Sequence, residues 1–420
     1  MAELFATVVG VLLLLSVAVV VRAIAAETNE TVYPVLLVVT GIAVSVLGLD
    51  PGFRLSSNFV LMVLVPTVLF QGAQRTKSSV FLRVLPVSLI IPIFGLPIAV
   101  ALLGVLGSAL FDLPLVATLL FAVIIYPVDP VAIVAFFREV DAPERLGVIA
   151  ELESHFSDGF AVVTFGVLLE LVAERYTTGD ELAGVLTVGD LAGVAVEITV
   201  VSFGGALVGA AVGGVALSVL RVLDDRMAEL LVTVLAAYGS FLFADHVLHV
   251  SGVVSTVATG LVIGVLAGEL AVETANLAFI ERTWDAAAFL VVTIVLVLIA
   301  LQAPWRRLLW NAPLVLGATA LVLLVRAVVI YGVTNAASIT GIEPVPFRFQ
   351  HVLVWGGMHT VIPIALLLSV PRKYAFREDL VVLVFGVAFV GIVGQGLLFP
   401  LALRLTGVTE ESDAEPVGRQ

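Results

Sequence analysis

No cysteine occurs in the 420 residues, so disulfides and thiolate metal sites are both ruled out. Charge is scarce as well: Asp, Glu, Lys and Arg make up 13% of the chain, against 61% hydrophobic residues. A soluble domain carries about 25% charged residues to cover its surface. The mean hydropathy of +1.19 instead fits helices surrounded by lipid or by one another. Lysine is almost missing, with Lys77 and Lys373 the two among twenty basic residues. The net charge of −13 leaves no basic surface for nucleic acid, and it suits a cell that lives in high salt.

What the chain does have is long apolar runs. A membrane crossing needs about 20 such residues. Thirteen candidate spans fall near 4–25, 33–49, 59–73, 80–107, 114–137, 148–173, 190–221, 228–248, 250–268, 284–301, 311–334, 351–371 and 379–404. The first, Leu4 to Ala25, lacks a basic start and exceeds a signal core of about 7–15 residues, so it is expected to be a span. The longest loops are expected over Glu174 to Gly189 and Ser338 to Phe349. The expected fold is an all-α polytopic membrane protein of about thirteen transmembrane helices in one domain over 1–404. A first repeat would cover about 1–175, a linking helix about 190–221 and a second repeat about 228–404, before a short acidic tail at 405–420. Lys and Arg number twelve in the loops on one side and seven on the other. That bias puts the N-terminus outside and the C-terminus in the cytoplasm.

Several charges fall inside these runs. Asp129, Glu151, Glu153, Asp158, Arg326 and Asp245 lie within or at the ends of spans. Each costs at least about 2.5–3.5 kcal/mol at membrane depth, so an ion or proton pathway is the first reading and a structural ion pair the second. Span 5 carries Tyr126-Pro127-Val128-Asp129-Pro130, and its two prolines predict a broken helix. Broken helices persist at membrane depth where they line a cavity. Asp129 is placed to cap the half-helix N-terminus. Span 6 carries Glu151, Glu153, Ser154, His155, Ser157 and Asp158. Ser154 and Asp158 share a helix face, and Glu153 and Ser157 form the next row. Hard oxygens of this kind suit a small hard cation. Desolvation also favours a proton on a buried carboxyl, so Asp158 can hold either. His155 is expected near the interface.

Span 12 carries Trp355-Gly356-Gly357-Met358-His359-Thr360-Val361-Ile362-Pro363, which predicts a second break. Spans 5 and 12 are each fifth in their half if the halves are inverted repeats, and the two breaks are then expected to cross at mid-membrane. Arg326, in the apolar run of span 11, needs a carboxylate partner, Glu153 or Asp129. Ser154, His155 and Asp158 lie on one short helical stretch, and adjacent residues such as Ser154 and His155 do not face each other, so a hydrolase set is not expected. No Gly-x-Ser-x-Gly or His-Glu-x-x-His motif is present, and no enzymatic activity is expected.

With these motifs in hand, the chain resembles the sodium/proton antiporters of the cation:proton antiporter-1 family, NhaP type. The resemblance runs through Pro66 to Phe70, Asp129-Pro130, Glu153-Ser154 with Asp158-Gly159, Ser251-Gly252 with Gly260-Leu261, Arg326 and Trp355-Gly356-Gly357. It implies exchange of Na+ or Li+ for H+ across the cell membrane, a homodimer, and a six-helix core that moves against a dimerisation domain. It also implies cation binding at Asp158, Glu153, Ser154 and the Val128 backbone carbonyl, and no cofactor beyond the transported ions. The partners are then monovalent cations, protons, the lipid bilayer and a second copy, with no nucleic acid. One aspartate at the Ser157-Asp158 position implies electroneutral exchange. The chain departs from the family pattern at Ser157 for Asn, Val128 for Thr, Gln71 for Glu and at Met358-His359 for Arg. Potassium/proton exchange and a non-transporting sensor are the alternatives.

Overall fold

The computed structural model describes residues 2–28, 33–46, 59–76, 78–128, 137, 142–178, 188–267, 274–359 and 361–408. Among them the chain is helical throughout. Helices α1 (Ala2–Thr28) and α2 (Tyr33–Val46) are followed by a π-helical turn, Val60–Leu64, that runs into α3 (Val65–Gln74). Next come α4 (Ser78–Phe111), α5 (Leu115–Ile125), α6 (Glu144–Thr178), α7 (Val188–Leu220) and α8 (Arg226–Leu242), the last extended by the π-helical Phe243–Val247. The second half holds α9 (Gly252–Leu266), α10 (Thr274–Gln302), short α11 (Trp305–Trp310), α12 (Ala312–Ile339), α13 (Phe347–Trp355) and α14 (Val361–Ser369). Helix α15 (Arg377–Phe389) passes through a π-helical turn, Val390–Gln395, into α16 (Gly396–Thr406).

Among the described residues, every one of the thirteen apolar runs contains helix. Seven helices are long and apolar enough to cross a membrane, and four shorter apolar ones accompany them. One difference from the sequence reading has a plain cause. The polar loops are shorter than hydropathy suggests, because α6 runs on to Thr178 and α12 to Ile339; charged and polar residues continue a helix once it leaves lipid. Helix α4 keeps Pro86, Pro92 and Pro97 without a break, since neighbouring helices can serve the backbone groups that proline frees. Asp245 lies at the end of its helix, half exposed, with its carboxylate 3.1 Å from His246.

Helix starts follow local chemistry. Asp225 caps α8 by accepting from Met227 N at 2.7 Å and Ala228 N at 3.1 Å. Ser251 caps α9 through Val254 N at 3.1 Å.

Packing sorts the helices into two groups. Helix α4 lies against α5, α6 and α12, and α15 lies against α5, α12 and α14. This core bundle holds spans 4–6 and 11–13. The other group, a panel, packs α9 on α3, α7 and α8, and α10 on α2 and α3. At one end of the core, Glu343 gathers Arg83 (2.5 Å) and Arg145 (3.1 Å), joining the starts of α4 and α6 to the loop before α13. The hydrogen bond from Arg83, with the positive charges of Arg145 and Arg83, holds the Glu343 carboxyl below the ordinary glutamate range against the pull of burial.

Candidate functional site

Both expected breaks are present, and they meet. Helix α5 stops at Ile125 with Tyr126 as its cap, and Pro127 and Val128 are no longer helical. Its last helical bond is Tyr126 N to Ala122 O at 2.9 Å. Helix α13 stops at Trp355, and the chain is non-helical from Gly356 to His359. His359 Nδ1 lies 2.8 Å from the Pro127 carbonyl oxygen, so the two interruptions touch.

Helix α6 runs past this crossing and turns its polar row toward it. Glu153, Ser154, Ser157 and Asp158 are all buried, Asp158 at 5% exposure. Ser154 Oγ donates to the Val128 carbonyl at 2.5 Å, which ties span 6 to the break of span 5. Ser157 Oγ donates to Glu153 Oε1 at 3.3 Å, within its own helix. Arg326 of α12 is 1% exposed and sits on the other side of Glu153. Its Nη2 is 3.1 Å from Oε2 and its Nη1 3.4 Å from Oε1. Its Nε donates to Leu353 O at 2.9 Å, and its guanidinium stands 5.9 Å from the Tyr126 ring centroid. Asp129 lies outside the described residues.

Four carbonyls at the crossing each have a side-chain donor. Val128 takes Ser154, Pro127 takes His359, Leu353 takes Arg326, and Trp355 takes Gln395 Nε2 at 3.1 Å. These are the groups a helix end leaves unpaired. Among the described residues no cluster of three or more His, Cys, Asp or Glu side chains could hold a metal ion.

Some functional neighbours were not legible beforehand. Gln395 was one amide in the apolar run of span 13, and its bond to Trp355 joins residues far apart in sequence. Asp285 of α10 accepts from Gln71 Nε2 at 2.8 Å and pairs with Arg75 at 2.8 Å, which gives Gln71 a partner that a glutamate would repel. His155 is buried. Its Nδ1 contacts the Glu151 carbonyl, and its ring lies on Gly72 of α3.

Comparison with known proteins agrees with this architecture. The family described as sodium/hydrogen exchanger, transmembrane, matches residues 11–405. The Na(+)/H(+) antiporter NhaS2 of Synechocystis is 30% identical over 404 residues, covering 96% of this chain and 71% of that protein. The Na(+)/H(+) antiporter ApNhaP of Aphanothece halophytica is 29% identical over 379 residues, covering 90% and 70%. The solved sodium proton antiporter MjNhaP1 of Methanocaldococcus jannaschii, at pH 8, superposes with a TM-score of 0.77 over 96% of this chain and 98% of that one. At 18% identity this last likeness speaks to the fold. With nearly its whole length matched by the family and its helices arranged around two touching breaks, the chain belongs to the transmembrane sodium/hydrogen exchangers.

Proposed function

We propose that the protein is a secondary active transporter that exchanges Na+ for H+ across the cell membrane, with Asp158 carrying each in turn. The observation that carries this is Asp158 at 5% exposure, one helical turn from the Ser154 hydroxyl that bonds the broken span 5. Ser154 Oγ and Val128 O are 2.5 Å apart and share a hydrogen in the ion-free state. An arriving cation turns that hydrogen away and takes both oxygens with Asp158 as ligands. Leaving, it returns the hydrogen bond, and Asp158 takes a proton. One site serves both ions, and their competition makes the exchange obligatory. Glu153 has both oxygens engaged by Arg326 and one by Ser157, so its part is to anchor α6 rather than to hold the ion. Asp129 is assigned to cap the broken helices.

Sodium is the favoured cation, with Li+ as a second, because the curated relatives carry Na(+)/H(+) antiporter names. Potassium is the competing reading. One titrating aspartate supports a one-for-one, electroneutral cycle. The protein works as a homodimer in the plasma membrane, N-terminus outside and C-terminus cytoplasmic. The core moves against the panel, and the repeats span about 1–175 and 228–404 around the linking helix 190–221.

Proton flux in reconstituted vesicles tests this. Added Na+ should drive proton movement without building a membrane potential. Asp158→Asn should abolish it, and Ser154→Ala should raise the apparent KM for Na+ about tenfold, the worth of one lost ligand. Exchange by Asp158→Asn near the wild-type rate would reject the site, and flux driven by K+ alone would favour the competing reading.

A further inference from the structure

The geometry points to His359 as the residue that holds the two interrupted spans in register and so sets the direction of the Val128 carbonyl. This rests on the sodium/proton reading and adds a positioning residue to it.

Among the described residues the carbonyls past Tyr126 have no helical donor, and two of them, consecutive in the chain, take donors from other spans. Val128 O receives the Ser154 hydroxyl of α6, and Pro127 O faces Nδ1 of His359 at 2.8 Å. A carbonyl only accepts, so Nδ1 carries the hydrogen and the imidazole is the donor. His359 is in the interruption between α13 and α14 and is 1% exposed. Its Cδ2 edge stands against the π-helical turn after α15, where a Cβ on Gly391 would lie 3.8 Å from it. The ring is walled in and cannot leave Pro127 without opening the crossing.

The peptide plane that contains the Pro127 carbonyl also contains the Val128 nitrogen. Fixing that plane leaves only the torsions of Val128 to aim the next carbonyl, and Ser154 meets that carbonyl at 2.5 Å. His359 and Ser154 therefore act on successive peptide units, one holding the frame and the other holding the ligand. The resemblance implies an arginine around Met358-His359, which this chain lacks, and the imidazole of His359 does the bridging here.

Replacement by amides separates position from titration. The Asn side-chain nitrogen overlays Nδ1 of histidine, whereas that of Gln overlays Nε2. His359→Asn should keep the wild-type Na+ KM and pH profile. His359→Gln and His359→Ala should raise the Na+ KM about tenfold with a smaller change in maximal rate, the loss of one hydrogen bond at the site. Should the Ala variant fail to fold, the Asn and Gln pair decides alone. A wild-type KM in His359→Gln, or a shifted pH profile in His359→Asn, overturns the positioning role. Absence of sodium-driven flux in the unaltered protein would instead refute the exchange reading itself.

Discussion

Arg326 is the largest fully buried side chain among the described residues, and a lone guanidinium at that depth would be prohibitive. Two hydrogen bonds to Glu153, one to Leu353 O and the face of Tyr126 replace its water. Such a pair contributes little beyond apolar residues of the same volume, but losing one member strands a charge. Arg326→Met or Glu153→Gln alone should therefore lower stability by about 3–5 kcal/mol, and the double variant by clearly less than the sum. Thermal unfolding of the four proteins in detergent measures this; additive losses would refute the coupling. Space around the pair also explains a motif. A Cβ on Gly357 would lie 2.9 Å from Arg326 Cδ, so the second glycine of Trp-Gly-Gly is there to admit the arginine.

At the scale of the element, the ends of the interrupted helices expose carbonyls at the proposed site, and side chains from elsewhere satisfy them. Gln395 does this for α13: it donates to Trp355 O, while Trp355 Nε1 donates back to Gln395 O at 3.4 Å. It projects from a π-helical turn, a local widening that re-aims a side chain. Gln395→Met keeps the volume and leaves the carbonyl unpaired, at an expected cost of about 1–3 kcal/mol. Unfolding in detergent should show that loss, and an unchanged midpoint would mean water or another donor serves the carbonyl. The same elements show what a sequence can carry. Span positions and both breaks were legible because hydropathy, proline and paired glycine act locally. Proline alone was not sufficient, for α4 stays helical through three. The carboxylates of span 6 stood out because charge in an apolar run is conspicuous. The bonds of His359 and Gln395 were not legible, since their partners lie 232 and 40 residues away and are backbone carbonyls without a residue-type signature.

At the scale of the molecule, the proposed exchange has the core move past the panel, and one contact lies on that boundary next to the proposed site. His155 follows Ser154 on α6 of the core, and its imidazole rests on Gly72 of α3 in the panel. The ring cannot swing aside freely, because it is buried and its Nδ1 is engaged by the Glu151 carbonyl. A Cβ on Gly72 would lie 2.7 Å from His155 Cε1 and nearer still to Nε2, so even a methyl group cannot be added with both helices in place. Overpacking of this kind costs about 1–3 kcal/mol. The cost falls on this arrangement of core and panel and not on one in which α6 has moved away, so the populations shift between states of the cycle. Gly72→Ala should slow sodium-driven proton flux about tenfold, the rate equivalent of that cost. Removing the ring should lift the block, so Gly72→Ala with His155→Ala should regain most of the flux, while His155→Ala alone should keep the Na+ KM near wild type. The readout is flux in vesicles at matched protein content. Wild-type flux in Gly72→Ala, or a double variant no faster than that single one, would show that the contact does not lie on the path of motion.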